Sequence, residues 1–403
     1  MSGRSTASPR AALIIVCGLV ALTQASWGLI IPVLPVYAEE FGASAFQLGI
    51  VVAAFSISRL LVNIPAGIIA DRGNRRVIII TATTGVAVVL AVTAGAQNLE
   101  MLFVLRAVLG LFGGVVITVG QSLLADMTEV ESRGRSMATL QAFQLAGGAL
   151  GPALGGITAT LWGPRGAYFI AAGICLAMTI VALVRLPGQA AKATRTGERG
   201  SAKPIDLFRD PSFDSAALVG FSVFFLRFGG MQTLVPLVAY SWAGVSAMTL
   251  GIALSAMTVV NLLQVRIVGR ISDKTRKVPI VISLVATATG YALFAFSHHW
   301  LLFFAAFVVV GLANGFSGST PAAYLADVVP PMMRGMGVGV YRTFGDFGGL
   351  IGPIVIGGLV DLSGNGLAAW VTAALALTMA MIFLLLAKET VGARATWKPM
   401  ASR

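Results

Sequence analysis

Apolar runs of about 20 residues, each long enough to cross a bilayer as a helix, follow one another along this chain with short polar interruptions. The pattern predicts twelve membrane spans, at 11–38, 47–69, 77–96, 100–124, 136–161, 167–185, 213–241, 247–269, 279–297, 300–325, 335–360 and 366–387. The first run is too long for a cleaved leader and leads into Trp27-Gly28, Pro32 and Pro35, so it reads as a retained helix. The widest interruption, 186–212, carries Lys192, Arg195, Arg199, Lys203 and Arg209 among Gly, Ser and Ala. It is expected to be a water-exposed linker between an N-terminal six-helix bundle (1–185) and a C-terminal one (213–403). The fold class that follows is an all-α membrane protein of two six-helix bundles.

Composition closes off the alternatives. With 57% hydrophobic and 11% charged residues, too few polar side chains remain to cover a soluble domain. The net charge of +12 would suit a nucleic-acid binder, but the basic residues sit in the short loops between spans. If the N-terminus is cytoplasmic, 22 of the 28 Lys and Arg fall on the cytoplasmic side, and only Arg165 falls outside. The other five (Arg59, Arg106, Arg227, Arg266 and Arg342) lie within spans. The outer loops hold Glu39, Glu40, Glu100, His298, His299 and Asp361 instead. The positive-inside rule therefore expects both termini and the central loop in the cytoplasm, with the chain in the cytoplasmic (inner) membrane of a bacterium. Cys17 and Cys175 both lie inside apolar spans, and His298-His299 lacks a third ligand, so neither a disulfide nor a metal site is expected. No phosphate loop or nucleophile–base pair occurs within the spans, which argues against an enzyme.

The two halves repeat one another. Leu124-Ala125-Asp126 with Arg133-Gly134 recurs as Leu325-Ala326-Asp327 with Arg334-Gly335, at an offset of 201 residues. Gly147-Gly148 and Gly151-Pro152 recur as Gly348-Gly349 and Gly352-Pro353, and Gly28 and Pro35 as Gly229 and Pro236, at the same offset. Gly67 and Asp71 correspond to Gly269 and Asp273 at 202. Two copies in the same orientation imply a pseudo-two-fold axis along the membrane normal, with a site between the halves near the midplane.

These residues carry a family resemblance over essentially the whole chain. Gly67-Ile-Ile-Ala-Asp71-Arg72-Gly73-Asn74-Arg75-Arg76 resembles the signature loop after the second helix of the major facilitator superfamily. Arg106-Ala-Val-Leu-Gly110 resembles that family's motif in the fourth helix. The run Gly147-x3-Gly151-Pro152-x2-Gly155-Gly156 resembles the fifth-helix motif of its drug:proton antiporters, whose further Gly is replaced here by Ala138. The resemblance implies the major facilitator fold and proton-driven export of amphiphilic small molecules or drugs by alternating access. Proton-linked symport or uniport of a small organic anion or sugar is the alternative. A proton gradient would supply the energy, with no cofactor. The expected partners are a small-molecule substrate and the lipid bilayer, and the chain is expected to be a monomer.

Candidate residues follow from the cost of charge in hydrocarbon, which makes each intramembrane charge a functional candidate. Asp346 is the one acid well within a span, and Arg342, one turn earlier, can pair with it. Arg106 is tied to proton movement by the resemblance, and Glu39 at the outer mouth is a further proton-coupling candidate. Arg227, Arg59, Gln24, Trp27, Asn63, Asn261, Gln264 and Asn314 are cavity candidates, with Asn261 in the place of Arg59 under the repeat. Asp71, Arg72, Arg75 and Arg76 are expected to form a cytoplasmic latch with Asp126, echoed by Asp273 in the second half. Gly147, Gly151 and Gly155, spaced four apart with Pro152 and Gly156, permit close helix packing and a bend without binding anything.

Overall fold

The computed structural model describes residues 9–128, 133–186, 207–208, 210–318, 320–330 and 333–391, and no strand occurs among them. In chain order the elements are α1 (Pro9–Glu39), α2 (Ala45–Arg72), α3 (Arg75–Ala94), α4 (Leu99–Asp126), α5 (Arg133–Arg185) and α6 (Pro211–Phe225). A π-helix (Leu226–Leu234) then leads into α7 (Val235–Ser241), α8 (Ala247–Ser272), α9 (Lys277–Phe294), α10 (Trp300–Ser317), α11 (Thr320–Val328) and α12 (Arg334–Leu386). A helix satisfies its backbone N–H and C=O groups internally, which is what an apolar segment in lipid requires. Starts are fixed by polar caps: Asn98 accepts from the Met101 N–H at 2.8 Å, and Asp210 from the Ser212 N–H at 2.9 Å.

Ten helical stretches among the described residues are long and apolar enough to cross a membrane, and two of them, Thr139–Arg185 and Met336–Leu386, run for 47 and 51 residues. At about 1.5 Å per residue each is more than twice the roughly 30 Å of a hydrocarbon core. Each is broken once, at Gly163 (φ 70°) and at Gly364 (φ 80°), a left-handed conformation that glycine adopts without a Cβ penalty. Counting each long stretch as two crossings gives twelve, in agreement with the hydropathy pattern. The two breaks stand 201 residues apart, at the offset of the repeat. The expected span at 300–325 falls within the apolar stretch Trp300–Val328, described as α10 to Ser317 and α11 from Thr320.

The chain forms two compact units. One comprises Met1–Ala43, Ala54–Thr196 and Ser246–Ala256, and the other Ser44–Ala53, Gly197–Val245 and Met257–Arg403. In the first, α1 lies along α5 with almost no space between backbones. A Cβ on Gly147, Gly151 or Gly155 would collide with the carbonyl oxygen of Ala21, Ala25 or Leu29, one contact per helical turn. Pro152 interrupts the helical ladder here, and the Ala153 N–H donates to Ser255 Oγ at 2.8 Å. The second unit repeats the seam, with Gly348 against the Phe221 carbonyl and Gly352 against Phe225. Its α2 segment packs as closely, Gly49 on the Pro353 carbonyl and Gly357 on that of Ala45. Asp361 then caps α2, accepting from the N–H groups of Ala45 and Phe46 at 2.9 Å each.

The two seams differ by one residue, and the difference explains the π-helix. Ala21 and Ala25 correspond to Phe221 and Phe225 at an offset of 200, although their glycine partners on α5 and α12 correspond at 201. Further along, Gly28 packs on Pro152 and Gly151, and Gly229 packs on Gly352, so the offset is 201 again. One extra residue has entered between Phe225 and Gly229, where the wider π turns begin. Thr233 Oγ1 donates to the Phe228 carbonyl five residues back at 3.0 Å, and the Tyr291 hydroxyl donates to the Leu226 carbonyl at 3.1 Å.

The glycine seam makes a direct prediction. Gly151→Ala drives a methyl into the Ala25 carbonyl and should destabilise the protein by about 1–3 kcal/mol. Gly173→Ala, where an added Cβ meets nothing within 4 Å, should leave stability unchanged or raised. Thermal unfolding of the purified variants in a neutral detergent compares the two.

Candidate functional site

In the first unit the polar candidates converge on one ring, that of Phe55 on α2. Trp27 of α1 meets it edge-on with centroids 4.7 Å apart. The guanidinium carbon of Arg106 on α4 lies 5.1 Å from its centroid, and that of Arg59, one turn along α2, lies 6.0 Å away. Two glycines on the Arg106 face of α4 make this possible. A Cβ on Gly110 would meet the Phe55 carbonyl oxygen at 2.6 Å, and one on Gly113 the Trp27 indole at 2.5 Å. Arg106 is only 6% exposed, and its Nε and Nη1 have no hydrogen-bond partner among the described residues. Trp27 Nε1 and Gln24 Oε1 are likewise buried and unpartnered.

In the second unit the matching feature is acidic. Asp346 on α12 is 3% exposed. Arg106 and Asp346 are the only charged side chains buried among the described residues, one in each unit. Asp346 stands between Gly345, whose added Cβ would meet the Phe224 ring at 3.0 Å, and Gly348, which packs on the Phe221 carbonyl. The Phe224 ring stacks with Phe228 at 6.1 Å, and Arg227 lies exposed on the π-helix between them. Arg342, one turn earlier on α12, is exposed, whereas Asp346 is buried. On α8 the side-chain oxygens of Asn261 and Gln264 are buried without partners. Gln264 lies against Gly315 of α10, beside Asn314, whose carbonyl accepts from Ser317 Oγ at 3.1 Å. The side chain of Asn63 lies outside the described residues. Glu39 is exposed at the end of α1, and its neighbour Glu40 pairs with Arg165 at 3.6 Å on an exposed surface.

The arginine-rich turns are built differently in the two units. In the first, Arg75 Nη1 donates to the Ser122 carbonyl at 3.3 Å and Arg76 Nη2 to the Leu183 carbonyl at 2.7 Å. The side chains of Asp71, Arg72 and Asp126 lie outside the described residues. In the second, Arg276 pairs with Asp327 at 3.0 Å and more loosely with Asp273 at 3.8 Å. Here a segment after α12 joins in, unanticipated from the sequence. Glu389 accepts from the Thr275 hydroxyl and from the N–H groups of Arg276 (2.8 Å) and Lys277 (3.2 Å), capping α9. Thr390 Oγ1 donates to Asp327 at 2.8 Å, and Lys277 Nζ to the Ala387 carbonyl at 2.8 Å. Burial works against ionisation of Glu389, but the Thr275 hydroxyl and the Arg276, Lys277 and Val391 N–H groups outweigh it and hold its carboxyl below the usual glutamate range. Phe55 was also missed, although its spacing of four from Arg59 was a usable signal.

Because the Glu389 pKa is lowered on folding, its stabilisation is present above the ordinary glutamate value of about 4.3 and is lost as pH falls through the lower folded value. Glu389→Gln should therefore lower stability by about 0.5–2 kcal/mol at neutral pH, on the scale of a lost helix cap. In thermal melts the gap between variant and wild type should begin to narrow as the pH falls below about 4.3 and keep narrowing with further acidification.

Comparison with known proteins adds to this geometry. The profile of the Major Facilitator Superfamily matches residues 16–278 and 243–400. An uncharacterised MFS-type transporter of Methanocaldococcus jannaschii is 20% identical over 348 residues, covering 85% of this chain and 89% of the relative. The multidrug resistance protein MdtG of Proteus mirabilis is 36% identical over 170 residues, 40% of this chain and 41% of that protein. MdtG of Yersinia enterocolitica is 28% identical over 276 residues, 66% of each chain. The match thus spans about two fifths of one MdtG relative and just under two thirds of the other. Among solved structures, a bacterial homologue of the human lysosomal transporter Spinster, inward-facing and occupied, superposes with a TM-score of 0.80 at 16% identity. That superposition covers 93% of this chain and 96% of that one. The nucleoside transporter NupG (D323A mutant) superposes at 0.77 with 17% identity, covering 93% of this chain and 99% of that one. With long apolar helices throughout its described residues and a profile match over nearly all of its length, this chain belongs to the Major Facilitator Superfamily, as a multi-pass membrane transporter.

Proposed function

We propose that this transporter exports amphiphilic small molecules, drugs among them, in exchange for protons by alternating access, with Asp346 as the proton carrier. The observation that carries the proposal is the burial of Asp346, 3% exposed and the only buried acid among the described residues. Ionisable groups within membrane helices are costly to place there and mark proton and substrate pathways. Asp346 stands on α12 between Gly345 and Gly348, which pack tightly on α6 just before the π-helix.

The printed names of the MdtG relatives support a drug-export reading, as does the glycine–proline seam of α1 and α5. Under this reading the proton gradient drives transport without a cofactor. The chain acts as a monomer in the bacterial inner membrane, with both termini in the cytoplasm. Proton-linked symport or uniport of a small organic anion or sugar is the second reading, favoured by the two arginines on the Phe55 ring.

Reconstitution into liposomes under an imposed pH gradient, following lumenal pH while candidate substrates are added, tests the proposal. Substrate-dependent proton flux is expected, falling at least about ten-fold in Asp346→Asn, as for the loss of an essential proton-transfer group. Substrate transport without any proton flux would sink the antiport reading. Coupled flux that survives in Asp346→Asn would move the proton elsewhere.

A further inference from the structure

We infer that the second unit binds an anionic phospholipid, whose phosphate meets Arg266, Arg270 and Lys274 at the end of α8 while its acyl chains lie along Val259, Leu263 and Ile267. The inference is independent of the substrate, of the direction of transport and of proton coupling. From Met257 onward α8 belongs to the second unit, where one of its faces packs on α10. Gly311 and Gly315 of α10 lie against Met257 and Gln264, and Val268 is wholly buried. At about 100° per residue, the three apolar and three basic residues come out together on the opposite face. Val259 is 47% exposed, Leu263 72% and Ile267 59%, and all three cations are exposed as well.

Polarity on this face changes along the helix axis: apolar first, basic last. A phospholipid has the same order, chains and then phosphate. Arg266, Arg270 and Lys274 follow at four-residue steps, about 6 Å apart along the axis. The backbone keeps turning past Ser272, since the Lys274 and Thr275 N–H groups both donate to the Ile271 carbonyl at 3.0 Å. Arg266 stands inside the apolar stretch Ala247–Ser272, about 9 Å from its end, so its guanidinium reaches toward headgroup level along the helix. Orientation signals need basic residues only in the loops, and Arg266 is not in one.

These three cations form no hydrogen bond or ion pair with any described residue. Their basic neighbours are occupied: Arg276 holds Asp327 and the Ser272 carbonyl, and Lys277 the Ala387 carbonyl. The acids at this end are committed too, Asp327 to Arg276 and Thr390, Glu389 to the cap of α9, and the exposed Asp273 to Arg276 at 3.8 Å. Two guanidinium forks and an ammonium in line suit a phosphate, and basic residues beside a membrane helix attract anionic headgroups. A zwitterionic lipid would bring its own ammonium to the same cations. Free phosphate would leave the apolar row uncovered.

Native mass spectrometry of the full-length protein in neutral maltoside, titrated with phosphatidylglycerol or phosphatidylcholine of identical chains, tests this. The wild type should bind the first phosphatidylglycerol at least about five-fold more tightly than phosphatidylcholine, the factor expected of one basic residue near an anionic surface. Arg266→Gln with Arg270→Gln should erase that preference while keeping phosphatidylcholine binding, which also reports a folded variant. Arg185→Gln with Lys388→Gln removes the same charge elsewhere and should keep the preference. No preference in the wild type overturns the inference, as does a preference that survives in Arg266→Gln with Arg270→Gln or is lost equally in both double variants. Glycerol phosphate at the same concentration should not displace the lipid; displacement would make the site one for free phosphate and overturn the lipid assignment. Should the Arg266 and Arg270 double variant not fold, Arg270→Gln alone decides by the same comparison.

Discussion

Hydrocarbon offers no hydrogen bonds, and most of this structure follows from that single constraint. Backbone polar groups in lipid must find partners within their own segment, so the apolar runs become helices and sheet is not found among the described residues. The same constraint makes each intramembrane charge conspicuous. Among the described residues only Arg106 and Asp346 are buried charges, one in each unit. A soluble protein of this size could hide such groups among many polar neighbours; here they have a handful.

Close helix packing is the second consequence. Lipid tails are as apolar as leucine side chains, so helices gain little from burying greasy surface against one another and hold together by backbone proximity. Gly147, Gly151 and Gly155 lay α5 on the carbonyls of α1, and Gly348 and Gly352 do the same for α12 against α6. The extra residue that converts Leu226–Leu234 to π geometry sits on that second seam, a few residues from the ring that touches Gly345. The duplicated halves therefore depart from one another beside the buried acid. In the first unit the comparable stretch of α1 stays α-helical and presents Trp27 to the Phe55 ring.

Away from the lipid, the ends of the helices are held by ordinary capping chemistry. Asp361 on α2 and Glu389 on α9 each place a carboxylate where unsatisfied N–H groups and the helix dipole favour it. Both acids come from far along the chain, so each cap also ties distant segments together.

The sequence by itself determined the span count, the breaks at 161–167 and 360–366, the internal repeat and the family, because these depend on run length, local period and offset, which are properties of the chain alone. It also picked out Arg106 and Asp346, since charge inside an apolar run is visible without coordinates. Tertiary structure decided the rest. Arg342 and Asp346 are one turn apart, but spacing alone cannot say which of them is buried; in the fold Asp346 is buried and Arg342 is exposed. A π-helix born of a one-residue slip has meaning only against the helix it packs on. Phe55 is one of 22 phenylalanines until folding sets it between two arginines and a tryptophan, and Glu389 is an unremarked tail acid until Thr275, 114 residues away, is brought beside it. Partners distant in sequence are chosen by packing, and packing is not written in any local run of residues.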